Sequence, residues 1–328
     1  MLPAHLWQIR GSDQGPCTVI LGGTHGDERT GIELVRRWLG SINPSCNLLL
    51  EQPGVYDLEG VNGSLILGFG NPEAILRDSR SASSQRDLNR CFESSLLNDL
   101  SQSWTDLNRA RDLFALLKRT DLLIDVHATS TPNSEPFLCF GKMTPEHERL
   151  CPLFPVEHIL NDPDGVLGGP EGALELPTTD QAVNRSGGTA ICYETGFLAD
   201  MSKVPLAQLA IARVLLLNGI ITDEIFQRLL AKDDNERSDA QQRLDSFTGD
   251  QKRIKLVSFQ TPLQPTGKGF VFAEGMGRPW QPVQKEQLYG RYADGQEIRF
   301  VENGYLIFPI PSERMNDKNT LFYLGQTF

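Results

Sequence analysis

Short, almost wholly apolar runs alternate along this chain with longer stretches of helical spacing. Residues 17–21 (CTVIL) read as a buried strand. The glycine-rich turn 22–28 that follows leads into a helix over 30–39, with Ile32, Val35 and Leu39 on one face. Residues 46–50 and 63–70 read as strands. A helix over 103–118 carries an apolar stripe at Leu107, Ala110, Phe114 and Leu117, and Ser103 with Asp106 has the spacing of a capping box. Further strands are expected at 122–126, 137–140 and 189–193, and one or two helices over 206–230. Strand, loop and helix in succession predict an α/β sandwich around a largely parallel or mixed sheet. In such folds ligands gather beyond the carboxyl ends of strands.

The pattern changes after residue 230. Residues 232–237 (KDDNER) are nearly all charged and read as a linker or an exposed helix end. From residue 253 onward come short β-like pieces at 254–259, 269–273, 297–301, 305–309 and 321–324, broken by Gly and Pro. They predict a small β-rich second domain. The expected division is therefore residues 1–235 and 250–328, with no internal repeat.

The chemically capable side chains fall at strand ends. His25 and Glu28 lie three residues apart in the turn after the first apolar run, and His127 ends the run at 122–126. A lone HxxE pair is common on solvated helix faces, but here a strand and two glycines precede it, and a tight turn brings both side chains to one side. Two imidazoles and one carboxylate make a three-ligand zinc site with a fourth position left for water, which distinguishes a catalytic zinc from a structural one. His5, His147 and His158 have weaker contexts and read as structural or exposed. Asp125 shares a strand face with His127. It either orients that imidazole through its second nitrogen or pairs with a backbone amide. Glu194 ends the run 189–193, where a carboxylate is costly to bury without a charge or solvent. It is the candidate general base.

The tetrapeptide DLNR occurs twice. At 87–90 it follows a Ser/Arg-rich loop (80–86) and presents Asn89 beside Arg90, a pairing suited to a carboxylate: the guanidinium binds in bidentate fashion and the amide adds a donor. At 106–109 it belongs to the predicted helix, with Leu107 in the buried stripe and the polar residues expected at the surface. Arg185, nine residues before Glu194, either binds a second anionic group or is an exposed structural arginine.

Composition narrows the partners. The chain has 328 residues, 39% hydrophobic and 22% charged, ordinary for a soluble protein with one large domain and a smaller one. A net charge of -11 argues against nucleic acid or an anionic membrane. A small anionic substrate then requires local arginines. Six cysteines without CxxC spacing read as reduced, mostly buried thiols. No secretory signal is evident at the N-terminus, and no stretch approaches the roughly 20 apolar residues of a membrane span. The expectation is a cytoplasmic protein with no membrane partner. A homo-oligomer is left open.

With these residues assembled, the chain resembles the succinylglutamate desuccinylase/aspartoacylase family, relatives of the zinc carboxypeptidases. The matching pieces are GGTHGDE at 22–28, DLNR at 87–90, DVH at 125–127, the RSGG-to-YETG stretch at 185–196 and GYLIFPIP at 304–311. The resemblance implies a zinc carboxypeptidase-like α/β/α sandwich whose C-terminal β-rich domain covers the active-site entrance. It implies one zinc held by His25, Glu28 and His127, with Glu194 activating water. Asn89 and Arg90 would bind the substrate carboxylate and Arg185 a side-chain carboxylate, with Tyr323 as a loosely aligned C-terminal tyrosine. Family members carry a carbonyl-polarising arginine about five residues before the DLNR aspartate. Ala82 stands there, so the role falls to Arg80, to Arg86 or to nothing. The residues Thr195-Gly196-Phe197 after Glu194 depart from the Gly-Pro-Gln of aspartoacylases proper, which weakens N-acetylaspartate as the substrate.

The leading expectation is hydrolysis of the amide of a small N-acetyl or N-succinyl acidic amino acid. A carboxypeptidase or amidase acting on peptides or cell-wall fragments is the second reading. A non-catalytic carboxylate-binding protein is the third.

Overall fold

A computed structural model of the chain describes residues 2–11, 14–42, 54–167, 176–247, 250–260, 269–310 and 320–327. Its strands, in chain order, are β1 (Leu6–Arg10), β2 (Cys17–Gly22), β3 (Val55–Asp57), β4 (Ser64–Phe69), β5 (Leu122–Thr129), β6 (Phe137–Phe140), β7 (His158–Asn161), β8 (Thr189–Phe197), β9 (Lys252–Gln260), β10 (Val271–Phe272), β11 (Gln281–Val283), β12 (Leu288–Arg291), β13 (Glu297–Arg299), β14 (Gly304–Ile307) and β15 (Phe322–Thr327). The helices are α1 (Arg29–Ile42), α2 (Pro72–Leu76), α3 (Ser94–Asn98), α4 (Thr105–Leu117), α5 (Pro145–Leu150), α6 (Thr179–Asn184), α7 (Val204–Leu217), α8 (Asp223–Leu229) and α9 (Asp234–Asp245). The strand expected at 46–50 lies outside the described residues.

Twelve strands form one mixed sheet in the order β11-β14-β15-β9-β7-β6-β8-β5-β2-β4-β1-β3. Its centre, β4-β2-β5-β8, is parallel throughout. All eight residues of β5 are buried, as a strand covered on both faces requires. Helices lie on both sides. Ile32, Val35 and Trp38 of α1 pack with Ala207, Ile211 and Val214 of α7 against one face. Leu107, Ala110 and Leu113 of α4 pack with Leu88, Phe92 and Val183 against the other. Each large apolar side chain fully removed from water contributes roughly 1.5–3 kcal/mol, so the two layers hold the central strands rigidly. The C-terminal strands β9, β15, β14 and β11 continue this same sheet beyond β7, while β10, β12 and β13 form a separate antiparallel sheet. The charged segment after residue 231 leads into α9, whose first turn is capped by Asp233.

Two local expectations are corrected. Trp104, not Ser103, precedes the first turn of α4, with no side-chain cap, because Asp106 turns inward. Its Oδ1 accepts hydrogen bonds from Asn71 Nδ2 (2.7 Å) and Ala82 N (3.2 Å). Likewise the second DLNR is only partly on the surface: Asn108 is exposed as expected, while Asp106 and Arg109 are buried. Arg109 is buried and donates to the Gly70 and Phe69 carbonyls at 2.7 and 2.8 Å, and burial lowers its pKa to about 10. This copy is a structural tie to the end of β4. No helix among the described residues is long and apolar enough to cross a membrane.

Candidate active site

Parallel pairing places the carboxyl ends of β2, β5 and β8 side by side, and the register sets His127 opposite Glu194. The turn after β2 needs its glycines. Gly23 has φ 67°, and a Cβ there would come within 2.6 Å of Ile75 Cδ1. A Cβ on Gly26 would stand 2.0 Å from the Ala74 carbonyl carbon. This close seating against α2 turns His25 and Glu28 toward the end of β5.

The Glu28 carboxylate bridges two imidazoles. Its Oε1 lies 2.7 Å from His25 Nδ1 and its Oε2 2.9 Å from His127 Nδ1, and the Ala128 N–H donates to Oε2 at 3.0 Å. The far nitrogen of each ring meets another carboxylate: His25 Nε2 lies 3.3 Å from Asp87 Oδ1, and His127 Nε2 3.1 Å from Asp125 Oδ2. Thr24 and Thr179 hydroxyls donate to Asp125 at 2.8 and 2.7 Å. Burial opposes charge on Glu28, yet the His25 and His127 imidazoles outweigh it and hold the carboxyl below its ordinary range. Burial likewise opposes protonation of His127, but Asp125 and Glu28 raise its pKa well above normal.

A cation fits this arrangement. The ligand atoms of His25, Glu28 and His127 lie within 4.8 Å of one another, all three residues are buried, and each imidazole is backed by a carboxylate. Glu194 Oε2 beside them is buried with no hydrogen-bond partner among the described residues, and the Cys192 thiol approaches Oε1 at 3.8 Å. Burial pushes the Glu194 pKa up to about 7; His127 opposes the shift and Glu28 adds to it.

These residues form one wall of a cavity of about 720 Å³. Arg80 lines it, with Nη1 3.8 Å from Glu28 Oε1 and Nε 3.5 Å from Asp87 Oδ2. Asn89, Arg90 and Tyr323 line it as well, with Phe308, Pro309 and Ile310 from the C-terminal segment. Arg90 donates to the Asn89 and Leu167 carbonyls, and Asn89 Oδ1 accepts from the Thr179 N–H at 2.8 Å. Two expected residues lie elsewhere. Arg86 reaches the Arg90 carbonyl and Glu93, outside the cavity lining. Arg185, at the end of α6, is exposed and is not among the lining residues; it donates to the carbonyls of Phe92 and of Leu176, which does line the cavity.

The sequence reading overlooked Asp87, although it heads the DLNR piece already singled out. It also missed Cys192, whose i−2 spacing from Glu194 on one strand signalled a shared face, and the cavity residues Cys139, Asp162, Asp180 and Gln181.

Residues 14–210 match the family model described as the succinylglutamate desuccinylase/aspartoacylase catalytic domain. The chain belongs to the succinylglutamate desuccinylase/aspartoacylase family. The matched span contains His25, Glu28, Arg80, Asn89, Arg90, His127 and Glu194, and leaves out Tyr323. Among relatives of the family, a probable aspartoacylase of Parasynechococcus marenigrum (strain WH8102) is 33% identical over 129 residues, 38% of this chain and 37% of that protein. An N-acyl-aromatic-L-amino acid amidohydrolase (carboxylate-forming) of Xenopus tropicalis is 30% identical over 190 residues, 51% of this chain and 56% of that protein. The chain thus spans between about a third and somewhat over half of the length of these two relatives. The crystal structure of a succinylglutamate desuccinylase/aspartoacylase from Rhodobacter sphaeroides superposes with a TM-score of 0.66 at 16% identity, covering 98% of this chain and 88% of that one. The α/β architecture is therefore that of the desuccinylase/aspartoacylase family.

Proposed function

We propose that the chain is a zinc-dependent amidohydrolase that cleaves the amide of a small N-acyl amino acid to a carboxylate and the free amino acid. The observation that carries this reading is the convergence of His25, Glu28 and His127 at one cavity wall with the Glu194 carboxylate, whose Oε2 has no hydrogen-bond partner among the described residues. The relatives described as an aspartoacylase and as an N-acyl amino acid amidohydrolase support the same reaction class.

In this reading His25, Glu28 and His127 hold the cation, which supplies Lewis acidity toward the acyl carbonyl and lowers the pKa of water toward about 7. Asp87 and Asp125 fix the two imidazoles so that Nδ1 faces inward. Glu194 accepts the proton of the attacking water and delivers it to the departing nitrogen. Arg80 stabilises the negative charge that develops on the acyl oxygen. Arg90 and Asn89 anchor the substrate carboxylate, and Tyr323 closes the cavity from the C-terminal side. Residues 1–235 then form the catalytic unit, and residues 250–328 border its mouth. The C-terminal residues lining the cavity favour small substrates over long peptides.

The deciding experiment loads the protein with zinc and screens N-acetyl and N-succinyl amino acids, with tripeptides alongside and a chelator-treated control. Chelator-sensitive release of an amino acid is expected. A zinc-bound protein that hydrolyses none of these amides defeats the proposal.

A further inference from the structure

The expectation of an acidic substrate rested on Arg185 reaching a second carboxylate, and Arg185 does not line the cavity: its guanidinium donates to the carbonyls of Phe92 and of Leu176, a lining residue. The cavity also carries the opposite charge. Asp180 and Asp162 line it, both buried, together with Gln181. Among the described residues, the cavity's cationic side chains other than histidine are Arg80, beside Glu28 and Asp87, and Arg90, beside Asn89.

Asp180 is 6% exposed. Its Oδ2 accepts from Gln181 Nε2 at 2.7 Å and from the Gly141 N–H at 3.4 Å. Both donors are neutral, so they orient the carboxylate without cancelling its charge. Oδ1 has no hydrogen-bond partner among the described residues, and no cation there comes within ion-pair distance of the group. A buried carboxylate in that state gains from an added cation and repels an added anion. Its place in the chain matters too. The Thr179 N–H binds Asn89 Oδ1, so Asp180 stands one residue along from the proposed carboxylate anchor. Asn89, Arg90 and Asp180 line one cavity, so an amino acid held by Asn89 and Arg90 would share that space with the Asp180 carboxylate.

We infer that the cavity selects N-acyl amino acids whose side chain ends in an ammonium group, and that Asp180 is the specificity-determining residue that rejects a second carboxylate. This rests on the amidohydrolase reading above.

The test compares kcat/KM of the zinc-loaded enzyme for three substrates of similar length: Nα-acetylornithine, N-acetylglutamine and N-acetylglutamate. The expected order places ornithine first, ahead of glutamate by on the order of 100-fold, the size of effect a buried charge pair produces. Asp180→Asn, checked for folding by circular dichroism, should shrink that ratio to about 10-fold or less, chiefly through KM for ornithine. Glutamate or glutamine as the best substrate, or an unchanged ratio in Asp180→Asn, overturns the inference. Should no N-acyl amino acid be hydrolysed at all, the amidohydrolase reading falls separately, and binding decides. Thermal stabilisation of the wild type by ornithine but not glutamate, lost in Asp180→Asn, upholds the role of Asp180; equal shifts for both ligands, or no shift, refute it.

Discussion

Asp125 Oδ2 lies 3.1 Å from His127 Nε2, while the Glu28 carboxylate sits 2.9 Å from Nδ1 of the same ring. Asp87 and Glu28 flank His25 in the same way, at 3.3 and 2.7 Å. Each imidazole is thus oriented from behind by a carboxylate, which raises its basicity as a ligand. Asp87→Asn and Asp125→Asn should each weaken zinc binding by about 10- to 100-fold, measured by competition with a chromophoric chelator. Unchanged affinity in both would reduce these aspartates to packing.

Glu194→Gln should keep one zinc per chain yet lose about 10²–10⁴-fold in kcat. Metal content and turnover measured on the same preparation separate the two effects. Full turnover by the zinc-loaded variant would remove Glu194 from the reaction.

The same residue sets a pH dependence. Burial pushes its pKa up to about 7, and a cation bound beside it would favour the carboxylate and bring the value down. Because the base must be ionised, kcat/KM should rise with pH along an acid limb centred below 7. That limb should vanish from any residual activity of Glu194→Gln; its persistence would assign it to another group.

Arg80 and Arg86 were equivalent as candidates for polarising the acyl carbonyl, and the cavity separates them. Arg80→Ala should cost on the order of 3 kcal/mol of transition-state stabilisation, about 100-fold in kcat. Arg86→Ala, altering only contacts to the Arg90 carbonyl and Glu93, should leave kcat within about 3-fold, the range of an exposed pair. Kinetics showing the reverse would exchange the two roles.

His158 stacks on Trp280 with ring centroids 4.4 Å apart, and burial, with Lys252 nearby, lowers its pKa to about 4 from 6.5. The unfolded chain therefore binds a proton that the folded chain refuses between those values. Stability from this group is complete above pH 6.5 and declines as pH falls toward 4. Urea midpoints across this range should flatten in His158→Phe; an unaltered slope would show that other groups carry the acid sensitivity.

Periodicity alone determined the strands at β2, β4, β5, β6 and β8 and the helices α1, α4 and α7, because burial on both sheet faces leaves continuous apolar runs and two-sided helices leave stripes. The residues at the ends of those runs, His25, Glu28, His127 and Glu194, were legible for the same reason, since a polar group closing a buried strand must meet something. Tertiary structure alone decided the remainder. The two DLNR copies are identical in sequence, yet one borders the cavity while the other ties α4 to β4, a difference set by which surface each packs upon. Arg185 and Asp180 lie five residues apart on one short helix and its end. Only the direction in which α6 faces the sheet puts the carboxylate, rather than the guanidinium, into the cavity wall.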